Sequence, residues 1–325
     1  MIKKFFLFVV VAIALQSCDT GPTQKTLKLA HGLDTNHPVH IAMLDMAKKL
    51  KEKSGGKLEL EIYPSGQLGT ERQCLELIQI GSLAMTKVSA ATMENFSPKL
   101  QVLSLPYIFD DREHSYRFQD SEEGKALLLE SEKYRLRGLA YFDAGFRSFY
   151  MIDGQIETPA DLAGKKVRVM ESPSSMKLVR DLGGSPTPIS YGELYTALQQ
   201  GIVDGAENNA PSFYTARHYE VCKFYSIDEH SAVPDILVIS TDTWSRLSEE
   251  EKGWVQEASD ETVVLERELW QESEKFCLEE VQKAGVKVVY PDKSPFVEKT
   301  KGYREVYEKE KPEMFKIIQQ IEALK

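Results

Sequence analysis

The stretch from Arg246 to Ala284 constrains the fold more than any other part of this sequence. It contains no proline, the next being Pro291, and Gly253 is its only weak interior position for a helix. Ser248 with Glu251 forms a capping box at its start. Trp254, Ala258, Thr262, Leu265, Leu269, Phe276 and Val281 then recur at three- to four-residue steps, the spacing of one helical face. At 1.5 Å per residue such a helix reaches about 58 Å, longer than one lobe of a chain this size. It must either project as a coiled coil or cross between two lobes. The heptad repeat is too irregular for a coiled coil, so crossing is expected.

The rest of the chain repeats one rhythm of strand, helix and glycine stop. TLKLAH (26–31) reads as a strand. Asn36 is placed to cap a helix with Pro38 in its first turn, running through Met43, Met46 and Leu50 to Gly55-Gly56. KLELEIYP is a strand of alternating Leu58, Leu60 and Ile62. A helix from about Thr70 stops at Gly81, and MTKVSA is the third strand. The order recurs with KKVRVM (165–170), a helix capped by Ser172 with Pro173 at its first position, a helix with a Ser190–Glu193 capping box, and IVDGAE. Two such units predict parallel sheets flanked by helices in two lobes, with a ligand site beyond the strand C-termini.

A net charge of −10 argues against nucleic acid, whose binding needs cations against phosphate. At the N-terminus, Lys3 and Lys4 precede an apolar run from Phe5 to Leu15, of secretory-signal length and too short to span a bilayer. Leu15-Gln16-Ser17-Cys18 resembles a lipobox, which implies a signal peptide over 1–18, lipidation at Cys18 and a tether over 19–25. Asp19 resembles the signal that retains lipoproteins at the inner membrane. Cys74, Cys222 and Cys277 form no CxxC pair and read as buried thiols, with one disulfide left open.

There is no GxSxG, HExxH, P-loop or strand-following GxGxxG. His37 and His40, near His31, lack partners at metal-ligand spacing, so neither metal nor cofactor is expected. Arg168 is the most informative residue. It sits near the end of an apparently buried strand, where a guanidinium cannot shed its proton and needs a partner. That partner is either one of 50 acids in the chain or the carboxylate of a ligand, which the fork fits bidentately. The N-terminus of the helix at Pro173 would also favour an anion.

GKKVRVMESP followed by GGSPTPISYGELYTALQQGIVDGAENN resembles the signature region of TRAP-transporter substrate-binding proteins of the DctP type. The likeness extends from TLKLAHG and YPSGQLGTE to GVKVVYPD. It implies an α/β, two-lobed periplasmic-binding-protein-like fold of type II, with strand hinges and one long helix spanning both lobes. Lobe I is expected over 26–145 plus 234–273, and lobe II over 146–233 plus 274–325. The resemblance aligns Arg168 with the arginine that grips the ligand carboxylate, Asn208 with an assisting asparagine and Arg147 with a second cleft arginine. It places Tyr191 and Glu71 against the ligand, and Ser89 and His37 at the cleft. Ser89 and Thr92 stand where sialate binders carry E-x-x-R, while GAENNAPS…RHYEV…DEH looks more like sugar-acid binders. The implied function is capture of a hexuronate such as glucuronate or galacturonate and delivery to a TRAP permease. The implied place is the periplasmic face of the inner membrane, or the outer face of a single cytoplasmic membrane. The alternatives are a C4-dicarboxylate, with Arg147 on a second carboxylate, or a periplasmic sugar-acid enzyme using Glu71 or His37 as base.

Overall fold

The computed structural model describes residues 24–325, so Cys18 and the signal segment lie outside the described residues. Strands β1 (Lys25–Ala30), β2 (Leu58–Tyr63), β3 (Met85–Ser89) and β4 (Leu136–Phe142) contribute to the first sheet. The second is built from β5 (Arg147–Met151), β6 (Lys166–Val169), β7 (Ser185–Pro188), β8 (Gly205–Asn208) and β9 (Phe224–Ser231), with β10 (Asp235–Ser240) returning to the first and β11 (Lys287–Val289) to the second. The orders are β2-β1-β3-β10-β4 and β11-β9-β5-β8-β6-β7. Each sheet mixes directions: β1 runs parallel to β2 and β3, while β10 is antiparallel to β3 and β4. These are the two lobes, joined by the short crossings β4 to β5 and β9 to β10.

The third connection is the long helix, Glu249–Lys283, whose 35 residues span roughly 52 Å. Its Ser248–Glu251 capping box forms as expected. Val255, Ala258 and Trp270 are buried in the first lobe, and Cys277 and Val281 in the second. The buried face is not quite the one the periodicity suggests. Phe276 is 52 % exposed, whereas Glu266 and Trp270 are fully buried. Apolar spacing alone leaves out a glutamate that serves the core by hydrogen bonding.

Three local expectations change. His37, not Asn36, caps the helix Pro38–Lys53, its ring accepting from the Val39 N–H at 3.3 Å. Ser190 makes no backbone cap; its hydroxyl donates to the Glu193 side chain, and the chain enters helix Leu194–Gln199 through a 3₁₀ turn. The largest change is at the C-terminus. Ser294–Thr300 packs in the second lobe through Phe296, and Tyr303 just after it donates to Asp181 of that lobe at 2.7 Å. Helices Gly302–Glu310 and Pro312–Glu322 return to the first, burying Tyr307, Met314, Phe315, Ile318 and Ile321 in one core with Leu100, Val102 and Phe118. The assignment of everything after residue 274 to lobe II therefore fails for 302–322. The apolar face of Pro312–Glu322 finds its partners beside Leu100 and Phe118, not on the second sheet. Cys74, Cys222 and Cys277 are buried free thiols.

Candidate functional site

A cavity of about 290 Å³ lies between the lobes, near the lower end of the roughly 300–1,000 Å³ usual for small-molecule sites. All seven expected residues line it: His37, Glu71 and Ser89 from the first lobe, Arg147, Arg168, Tyr191 and Asn208 from the second.

Arg168 reaches the cavity because β6 alternates. Val167 and Val169 point into the second lobe's core, and Arg168 points the other way. It is 2 % exposed, and its Nε donates to the Ile189 carbonyl at 2.8 Å. Among the described residues no acid pairs with it and nothing accepts from its terminal nitrogens. Burial pushes its pKa below the usual arginine value, the mark of a cation held where it is costly. Of the two partners the sequence allowed, the internal acid is absent.

Arg147 behaves differently. Its Nε pairs with Glu207, one terminal nitrogen donates to Asn208 Oδ1 at 2.8 Å, and the other to the Glu207 carbonyl at 2.7 Å. Burial opposes ionisation of Glu207, but Arg147 and His230 outweigh it and hold the carboxyl at about 2. Burial likewise opposes the charge on His230, which Asp228 and Glu207 nevertheless raise to about 9. The charge of Arg147 is thus already matched, which weighs against its holding a second ligand carboxylate. Its effect on the site is to fix Asn208. With Oδ1 accepting from Arg147 and from the Asn209 N–H, Asn208 has its amide nitrogen left to donate beside Arg168.

The opposite wall is rich in acceptors. Glu71 takes bonds from the Ser89 N–H at 3.1 Å and the Thr92 hydroxyl at 2.8 Å. Lys87 lies 3.5 Å from Glu71 and 2.8 Å from Asp235. Burial opposes its charge, but Asp235 and Glu71 outweigh it and raise its pKa. The Ser89 hydroxyl caps the next short helix by accepting from the Ala91 N–H, so its proton is free to donate. His37 is held neutral, mainly by burial and then by Lys87; its Nδ1 accepts from Val39, leaving Nε2 to face Ser212 at 3.3 Å. Tyr191 donates to the Ser212 carbonyl at 3.2 Å and presents its ring. His31 and His40 are engaged with each other at 3.0 Å.

Sequence reading missed Lys87, Asp235 and Trp270, which also line the cavity. Lys87 carried a usable signal, a lysine in the middle of the short apolar strand MTKVS, the reasoning that singled out Arg168. The expected anion site at the helix N-terminus after Ser172 is taken. Its N–H groups at Ser174 and Ser175 donate to Glu94 and Ser172, not toward the cavity.

A buried arginine without an acid partner among the described residues, facing a polar wall across an interlobe cleft, is the layout of a solute clamp, and the sequence model that matches residues 29–310 is that of the bacterial extracellular solute-binding proteins, family 7 (DctP). The chain belongs to this family. A Salmonella typhimurium protein, the uncharacterised YiiZ, is 38% identical over 303 residues, covering 92% of this chain and 91% of its own. The 2,3-diketo-L-gulonate-binding periplasmic protein YiaO of Escherichia coli is 27% identical, covering 82% and 81%. Among solved structures, a TRAP periplasmic solute-binding protein from a Bradyrhizobium species, in complex with galacturonate, superposes with a TM-score of 0.89 at 37% identity, covering 92% of this chain and all of its own. One from Anaerococcus prevotii, with bound glucuronate, gives 0.90 at 33%, covering 93% and 98%. This DctP-family protein is thus a TRAP-type solute-binding protein, of a family that serves transport.

Proposed function

We propose that this DctP-family protein captures a hexuronate and presents it to the membrane subunits of a TRAP transporter, from a lipid anchor at Cys18 on the outer face of the cytoplasmic membrane. The observation that carries the ligand class is Arg168, buried, charged and without an acid partner among the described residues. A carboxylate would take its free N–H groups bidentately and accept from the Asn208 amide. Glu71, Lys87, Ser89 and His37 supply the mixture of acceptors and donors that sugar hydroxyls need, and Tyr191 gives a flat apolar surface for the ring. A dicarboxylate would leave that wall unpaired, and its second charge would meet Glu71 and an already matched Arg147.

Titration calorimetry with glucuronate, galacturonate, glucose and succinate tests this reading. Saturable heat is expected with at least one uronate and none with glucose, which would leave Arg168 unpaired. Tight succinate binding with no uronate heat would replace the hexuronate by a dicarboxylate.

A further inference from the structure

Glu94 lies outside the cavity and outside the ligand chemistry described above, yet it is 2 % exposed, an expensive place for a carboxylate. All its side-chain hydrogen-bond partners among the described residues belong to the other lobe. Its oxygens accept from the Ser172 hydroxyl, from the Ser174 N–H at 2.9 Å and from the Ser174 hydroxyl at 2.7 Å. These donors cluster at the start of helix Pro173–Asp181, where the dipole favours negative charge. The neighbouring Asn95 adds a bond of its own to the Glu171 carbonyl at 2.6 Å.

The connections at either end give this contact its meaning. Glu94 terminates the single-turn helix Ala90–Met93, which Ser89 caps and whose Thr92 hydroxyl binds Glu71. Ser172 follows Arg168 by four residues, at the exit of β6. Each half of the contact is therefore a rigid extension of one wall of the ligand cavity. If the lobes separate, Glu94 returns to water and loses all three donors at once.

We propose that Glu94 is a positioning residue for ligand capture, a latch that holds the two lobes together and sets how slowly a bound ligand escapes. The proposal rests on the solute-clamp reading but not on the identity of the ligand. Interactions made only after encounter act on dissociation and not on association. Glu94→Ala should therefore release ligand at least tenfold faster, with an association rate within about twofold of wild type. The isosteric Glu94→Gln keeps one acceptor oxygen and should fall between them.

The test is single-molecule fluorescence transfer with one dye on each lobe, reading the lifetime of the closed state with and without glucuronate. In Glu94→Ala the closed lifetime should shorten at least tenfold in both conditions, while the midpoint of urea unfolding of the ligand-free protein stays put. Closed lifetimes equal to wild type would overturn the latch, as would an unfolding midpoint that drops in step with them, the sign of a merely structural residue. Failure of glucuronate to lengthen the closed lifetime of wild type would count against the hexuronate reading alone, since the ligand-free arm still decides the latch.

Discussion

Arg168 and Arg147 are buried to similar degrees on strands that flank β8, yet opposite outcomes are expected when each is replaced by methionine. Arg147 neutralises Glu207 and donates to Asn208. Removing one member of a buried pair typically costs about 3–5 kcal/mol, because the abandoned charge stays in place. Arg147→Met should thus lose several kcal/mol of folding stability. Arg168 abandons no partner acid, only the Ile189 carbonyl, and its depressed pKa marks a cation the fold pays to hold. Arg168→Met should leave the ligand-free protein within about 1 kcal/mol of wild type, or more stable. Binding should show the cost instead. Truncating the cation opposite a desolvated carboxylate costs about 2–5 kcal/mol, or roughly 30- to several-thousand-fold in affinity. Urea unfolding of the three ligand-free proteins and calorimetry with glucuronate give both numbers. Equal destabilisation by the two substitutions, with Arg168→Met binding within threefold of wild type, would refute the assignment of Arg168 as the open anchor.

Glu71→Gln should weaken uronate binding by roughly tenfold, as an acceptor for sugar hydroxyls and for Ser89 and Thr92 is halved; competition titration measures it. Acid should erode stability through His31 and His218, which burial holds neutral with pKa values of about 3 each. Below pH 6.5 the unfolded chain takes up protons that the fold refuses, so each costs about 1.4 kcal/mol per pH unit down to about pH 3, and the melting temperature should fall steeply over that window. His230, protonated in both states below pH 6.5, adds no slope there. Glu266 is pushed well above the carboxylate range, by burial and then by Asp143, while its Oε2 accepts from the Asp143 N–H at the lobe crossing. Because burial and Asp143 both favour the protonated acid, Glu266→Gln should be nearly silent in urea unfolding and Glu266→Ala should lose about 1–3 kcal/mol.

What the sequence made legible was whatever obeys local rules. The helix start at Thr70, the capping box at Ser248, the Ser172 cap with Pro173, and the alternation that turns Arg168 away from Val167 and Val169 all follow from neighbours a few residues apart. The long helix was visible because nothing interrupts it. The course of 302–322 was not, since an amphipathic helix states that it has a buried face but not which lobe supplies the partner. Within the site, Arg168 could be singled out as costly, but only the folded arrangement tells a paired arginine from an open one. Glu207 sits on β8, which pairs antiparallel with β5 on one side and parallel with β6 on the other; that it takes Arg147 and leaves Arg168 free depends on those two registers, and no spacing in the chain encodes them. Glu94 was hidden for the same reason: its partners lie some eighty residues away across the cleft.

The return of the last two helices to the first lobe bears on how such a chain reaches its destination. The core that contains Ala30 is completed by Phe315, Ile318 and Ile321, and His114 reaches the Ile321 carbonyl at 2.8 Å. A chain threaded outward from its N-terminus cannot finish this lobe until nearly its last residue has emerged. Stable compaction of the first lobe is deferred for the same span of time. A version ending at Thr300 should accordingly retain a folded second sheet but be cut rapidly by protease around Leu100 to Phe118, and intact resistance there would show that the first lobe can close without its late arrivals.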